Sequence, residues 1–193
     1  MNAATLLRIQ ARANRLANHR LHQSLAPLTT AELHAPRCGF FPTLMATLNH
    51  ILQVDQYYVG ALHGEAGLAA HWTRYAPDRE LAPLAGRQRL VDERLIAFCN
   101  ALDDAGTERT VEMPRRAGVI QRDAAAFVLQ HLFMHQTHHR GQVHAMLSGT
   151  AVAPPQLDEF LMPSDADLRR ADMQALGWDE TEVYAIGPKP PPA

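Results

Sequence analysis

Long runs of apolar residues recurring every three to four positions dominate this chain, and such runs favour packed helices over strands. The first covers about residues 4–28, with Leu6, Leu7, Ile9, Ala13, Leu16, Ala17, Leu21 and Leu25 at helical intervals. Thr29-Thr30-Ala31-Glu32 then has the form of a capping box opening a short helix. A second long helix is expected to open at Gly39-Phe40-Phe41-Pro42, with Pro42 in its first turn, and to run to about His63-Gly64. A third spans about 86–102, where Leu90, Leu95, Ile96, Phe98 and Cys99 supply the apolar positions. The fourth runs from Gln121 or Arg122 to Leu147-Ser148-Gly149, with Gly149 as its stop.

Between the third and fourth helices, residues 109–121 are expected to form a short hairpin or an extended loop. After Gly149, Ala153-Pro154-Pro155 breaks the pattern; Gln156 to Met162 and Asp165 to Leu176 are further helical candidates. The Pro-rich stretch from Gly187 to Ala193 is expected to be disordered. At 193 residues the chain can bury one full core but is short for two. The pattern predicts an all-α four-helix bundle over residues 1–162, followed by a C-terminal extension over 163–193.

Several functional classes fall away on composition. The net charge is −2, and no basic run exceeds Arg115-Arg116 or Arg169-Arg170, so nucleic acid is not an expected partner. No stretch approaches the roughly 18 uninterrupted apolar residues of a membrane span. The first residues contain Arg8, Arg12 and Arg15 and no apolar leader core. Cys38 and Cys99 form neither a C-x-x-C pair nor a disulfide framework, so a reducing, cytoplasmic setting is expected. No G-x-S-x-G, Gly-rich phosphate loop or zinc-ribbon pattern is present.

The chemistry concentrates in the fourth helix. Five of the chain's 11 histidines lie within 14 residues, His131 to His144. At about 100° per residue, His135 and His139 sit roughly 40° apart, one turn above the other. Ala124, Val128, Leu132, Gln142, Val143 and Met146 fall within about 60° of the pair's midpoint, which puts both rings in an apolar stripe. Buried imidazoles need partners. Either side-chain hydrogen bonds satisfy them, or a divalent metal binds both. His131 lies at the stripe's edge, His138 further out and His144 roughly opposite.

A catalytic metal site generally takes three protein ligands and an open position. The best third candidate is His50, at the border of the apolar arc of Leu44, Leu48, Ile51, Tyr58 and Leu62 on the second helix. Asp55 falls near the middle of that arc, where a carboxylate needs a partner; Arg140, Asn18 and Asn14 are candidates. Gln136 occupies the place of the glutamate base in an H-E-x-x-H protease helix, and an amide cannot take up that proton.

Asn14-x-x-Ala17-Asn18-x-x-Leu21, Thr47-Leu48-Asn49-His50-Ile51-Leu52-x-x-Asp55 and His131-x-x-x-His135-Gln136-Thr137-His138-His139-Arg140-Gly141-Gln142 together resemble the DinB/YfiT-like family of metalloenzymes. Pro154-Pro155-x-Leu157-Asp158 is also similar to the family, and the resemblance covers about residues 5–162. It implies a four-helix bundle holding one divalent ion through one histidine of the second helix and two of the fourth, here His50, His135 and His139. It also implies a homodimer and a thiol-dependent transferase or isomerase that uses a low-molecular-weight thiol; an ion held by neutral ligands could activate either a thiol or water, so S-transfer and hydrolysis of a small molecule are both compatible. The family takes its name from damage-inducible genes, which implies a stress-response setting and no polymerase activity. One departure stands out: an aromatic pair frequent in the family's first helix is here Ala13 and Leu16.

Three imidazoles suit Zn, Ni, Fe or Cu, so the sequence leaves the ion's identity open. The alternative from another class is a non-enzymatic bundle that binds metal or a small ligand, and the third reading is a structural bundle without metal. His131 and His138 are expected around the cavity rather than on the ion, with Gln142 or Asp55 orienting a ring. Arg140 is either a structural ion pair or an anion clamp; Gly141 is expected at a close helix contact, and Tyr57 and Tyr58 in packing. His19, His22, His34, His63, His71 and His144 share no geometry and are expected at the surface or in loops.

Overall fold

A computed structural model describes residues 2–158 and 162–184. It is mostly helical, an all-α fold with one small two-stranded sheet. The four long helices are α1 (Ala3–Leu25), α2 (Leu44–Leu62), α3 (Leu81–Ala101) and α4 (Ala125–Leu147). α1 packs on α3 and α4, and α2 packs on the same two, so the four close around one core. Leu44, Leu52, Leu84, Leu95, Leu132 and Val143 lie within it, all essentially inaccessible.

Local signals set some boundaries and tertiary context set others. Thr29 and Glu32 form the expected capping box, opening the single turn Thr30–Leu33. α2 begins two residues beyond Pro42 because the Thr43 side chain accepts the Ala46 N–H and caps it there. Residues 39–42 are therefore a loop, tied back by the Arg37 N–H to the Pro42 carbonyl at 2.8 Å. α3 starts at Leu81, five residues before the expected position. Pro83 falls in its first turn, where an N–H has no helical partner to lose.

The segment before α4 is a hairpin, β1 (Thr110–Pro114) antiparallel to β2 (Ile120–Ala124), with Val111 opposite Asp123 and Met113 opposite Gln121. Val111 and Met113 are buried while Thr110 and Glu112 are exposed, the alternation of a one-sided strand. The turn places Ala117 and Gly118 at φ 59° and 73°. Gln121 and Arg122 thus belong to the strand and not to the fourth helix.

Residues 156–158 are not helical, and the rest of that candidate helix lies partly outside the described residues, as does the whole Pro-rich stretch 187–193. A 3₁₀ segment (Pro163–Arg169), α5 (Arg170–Leu176) and α6 (Glu180–Tyr184) return the chain to α1. Met173 and Val183 form a small apolar cluster there with Ile9, Leu16 and Ala17. Arg20 secures it, bonding Asp172 at 2.8 Å and the Leu168 carbonyl at 2.6 Å. Among the described residues no helix is long and apolar enough to cross a membrane.

A polar network runs through the middle of the apolar core. Asp92 of α3 accepts from Asn18 of α1 at 3.0 and 3.1 Å and from Gln88 at 3.1 Å. Gln88 also donates to Asp55 of α2 at 2.7 Å, and Gln136 of α4 donates to the same carboxyl oxygen. Arg140 of α4 donates to Gln136 at 2.8 Å, Asn14 at 2.5 Å and Asn18 at 3.1 Å. Burial pushes the Asp92 carboxyl up to about 6 against the pull of its amide donors, Arg15 and Arg140. Asp55 is raised well above the usual carboxylate range by burial and by neighbouring Asp92.

Replacing one buried member leaves the others without partners. Asp92→Ala is expected to cost about 3–5 kcal/mol in urea unfolding. Glu93→Ala, exposed on the next residue, should stay within about 0.5 kcal/mol. A loss below about 1 kcal/mol for Asp92→Ala would show that the network carries little of the stability.

Candidate metal centre

α2 and α4 lie side by side, and His50 faces His135 and His139 across their contact. One turn apart on α4, the two histidines present their rings to the same point. Ring centroids are 4.4 Å apart for His135 and His139, 4.6 Å for His50 and His139, and 4.9 Å for His50 and His135. One ring nitrogen from each of the three lies within 4.8 Å of the others, and His50 Nε2 is 3.0 Å from His135 Nε2. Tetrahedral zinc bound at about 2.0–2.1 Å sets its nitrogen ligands roughly 3.3–3.4 Å apart, a spacing the His50–His135 pair is already near.

The electrostatics suit a cation. Burial lowers His135 to about 3, with further lowering from His139, His50, His131 and His138. Burial and His139 lower His50 to about 4. His139 is lowered by burial too, opposed by its bond to Gln142. All three rings are therefore neutral near pH 7 and carry lone pairs. His139 Nδ1 meets Gln142 Oε1 at 2.8 Å, which makes Nδ1 the donor and leaves Nε2 bare toward the cluster. His135 Nδ1 is buried without a partner. Neutral donors that mutually disfavour protonation, with no carboxylate among them, fit a divalent ion and would leave its charge uncompensated. The three could hold a metal ion.

The apolar stripe is turned relative to the expectation. Buried residues of α4 centre on Gln136 and Val143, about 65° round the helix from the histidine midpoint. His135 is half-buried as a result, and His139 lies at the edge of the buried arc. Gln136, not a histidine, occupies its middle, wholly inaccessible and turned toward Asp55 and Arg140. Asp55 takes its hydrogen bonds from Gln88 and Gln136 and from none of the three expected partners; Arg140 stands one bond further on, through Gln136, and Asn14 and Asn18 beyond it. It therefore orients no histidine.

His138 is exposed and accepts from Gln142 Nε2 at 3.1 Å, outside the cluster; His131 is exposed beside Tyr58, ring centroids 5.0 Å apart. Gly141 has open space where a side chain would stand, so no contact among the described residues requires it. Of the six histidines expected at the surface or in loops, His19 and His22 are half-buried on α1. His34, His63, His71 and His144 bond the carbonyls of Arg79, Arg94, Gln53 and Pro155 at 2.8–3.1 Å, tying helices and loops together.

Two parts of the site had no recognised signal. Phe41 covers the rings of His50 and His139, at centroid distances of 4.5 and 5.8 Å. Beside it, a mainly apolar cavity of about 520 Å³ runs from His50 past Met45 and Asn49 to Tyr75. Its wall is cross-linked by Asn49, which donates to the Met45 and Asp78 carbonyls and accepts from Tyr75 Oη at 2.9 Å. The pairing of Asn49 with residues 75–78 is long-range, which is why the sequence concealed it.

A profile of the DinB family matches residues 1–173. The chain is 27% identical over 128 residues to the uncharacterized protein YizA of Bacillus subtilis strain 168, covering 66% of this chain and 77% of that protein. It is 23% identical over 152 residues to the protein DinB of the same organism, covering 75% of this chain and 87% of that one. With the family profile spanning nearly the whole helical fold and the three-histidine group inside it, the chain belongs to the DinB family.

Proposed function

We propose that this protein is a divalent-metal-dependent enzyme acting on a small molecule, with His50, His135 and His139 holding the ion. The observation that carries this is the convergence of three neutral imidazoles at the edge of an open cavity. A closed structural site has no such opening. Once bound, the ion would supply Lewis acidity toward a thiol or water. Zn, Ni and Fe all suit the donor set.

The chain's own groups do the rest. Gln142 fixes the ring of His139, and Phe41 shields one side of the cluster from solvent. The cavity beside His50 receives the apolar part of the substrate. Transfer involving a low-molecular-weight thiol is the leading reaction and hydrolysis the other. Gln136 is bonded away from the cluster, which argues against a protease mechanism with a base at that position. Two unpaired cysteines, Cys38 exposed and Cys99 buried, accord with a reducing, cytoplasmic compartment.

We further propose a homodimer formed through the outer face of α4. Arg140 is the sole Arg, Lys, Asp or Glu in this helix of 23 residues, and it is buried. The outer face instead shows Phe127, 72% exposed, and Met134, 64% exposed. Gly141 follows seven residues after Met134 with open space above it. Uncharged residues spaced by sevens, ending in a glycine that admits a close helix, suit a paired helix of a second copy.

Protein purified without a nickel column and reconstituted should hold about one equivalent of divalent metal, and chelator should lower its melting temperature. His135→Ala is expected to lose the metal and His138→Ala to keep it. Less than about 0.2 equivalents, unchanged by His135→Ala, would defeat the metal assignment. Turnover of model electrophiles with a panel of thiols should fall at least about tenfold on metal removal; metal bound without any turnover would make the protein a non-enzymatic binder. Light scattering should report a dimer at micromolar concentration and a monomer for Met134→Glu. A monomeric native chain overturns the pairing.

A further inference from the structure

Arg140 faces a second cavity, on the side of α4 turned away from the histidines. About 100° of helix separates it from His139 and about 140° from His135. The space, about 240 Å³ between α1 and α4, is lined by Ala13, Asn14, Ala17, Phe133, Leu157 and Arg140. It is smaller than the roughly 300–1,000 Å³ of pockets that take drug-sized ligands, which sets the scale of an occupant at a single ring or short chain.

Arg140 is 8% exposed, and among the described residues all its side-chain hydrogen bonds leave from Nη1. All three acceptors are neutral amide oxygens, on Asn14, Asn18 and Gln136. Asp92 and Asp55, the carboxylates whose charges act on it, take their own hydrogen bonds from amide donors. The other edge, Nε with Nη2, meets no acceptor among the described residues and is not sealed from solvent.

A guanidinium edge of that kind matches the two oxygens of a carboxylate in a parallel fork. Water can reach that edge, and a carboxylate would replace it with a charge-assisted pair. The walls supply apolar surface from Ala13, Ala17, Phe133 and Leu157, and the Thr137 hydroxyl is already committed to the Phe133 carbonyl at 2.9 Å. Asp158 stands exposed among the lining residues and disfavours an occupant with further negative charge. The structure assigns this cavity to a small monocarboxylate with an apolar body, its carboxylate on the Nε–Nη2 edge of Arg140 and its body against Phe133. The site is separate from the histidine cluster and does not depend on a metal.

Benzoate is a suitable probe, with benzyl alcohol as the neutral comparison and inorganic phosphate as the polyanion. Calorimetry on the full chain should give benzoate a Kd on the order of 1 mM, with benzyl alcohol and phosphate at least about tenfold weaker. Ala13→Phe, which puts a ring into the cavity from α1 and leaves the Arg140 side chain unchanged, should weaken benzoate at least about tenfold and leave metal content unchanged. Arg140→Gln should do the same if it folds; Ala13→Phe decides the matter if it does not. His135→Ala should bind benzoate like the native chain. The assignment is overturned by no binding at about 10 mM, by equal binding of benzyl alcohol, or by binding that survives Ala13→Phe. Benzoate lost with His135→Ala would place the carboxylate on the metal instead, and would equally end it.

Discussion

A buried chain of amide, carboxyl and guanidinium groups holds the four long helices in one register. Asp92 draws α1 to α3 through Asn18, Gln88 draws α3 to α2 through Asp55, and Gln136 with Arg140 draws α4 to both α2 and α1. Apolar side chains are tolerant of small slides and rotations, whereas each hydrogen bond here has a narrow range of geometry. Because these groups are dehydrated, a shifted helix would strand several of them at once. The network thus selects one packing among those the apolar faces would permit.

The histidine cluster depends on that selection. Asp55 and Gln136 join α2 to α4 inside the core, and His50 meets His135 near the rim of the same helix contact. Gln136 directly follows His135, so the bond that pins α4 inward also sets the rotation at which His135 and His139 emerge. The rings stand partly buried with their basicity depressed by burial and by one another. A site at a helix rim can be dry enough to keep imidazoles neutral and open enough to admit a substrate.

Residues distant in the chain complete the surroundings. The loop before α2 supplies Phe41, and residues 75–78 brace Asn49 at the far side of the cavity. The segment after residue 162 packs on α1 through Met173 and Val183, and Leu157 closes one side of the Arg140 cavity. The two cavities therefore lie against opposite neighbours of α4, one beside His50 on α2 and the other against α1.

What the sequence determined by itself was local or periodic. Apolar spacing marked the four long helices, the Thr29–Glu32 box marked a helix start, and the spacing of His135 and His139 put two imidazoles on one side of a helix. His50 entered as a border residue, strengthened by family resemblance, and Asp55 was recognisable as a carboxylate needing a partner. Tertiary structure alone decided which partner that was, since Gln88 and Gln136 lie 33 and 81 residues away. It also decided how far α4 is rotated, that Gln136 rather than a histidine lies deepest, and that Gly141 faces open space. The physical reason is that helical periodicity specifies which residues share a face, while the direction that face points is set by neighbours that arrive from elsewhere in the chain.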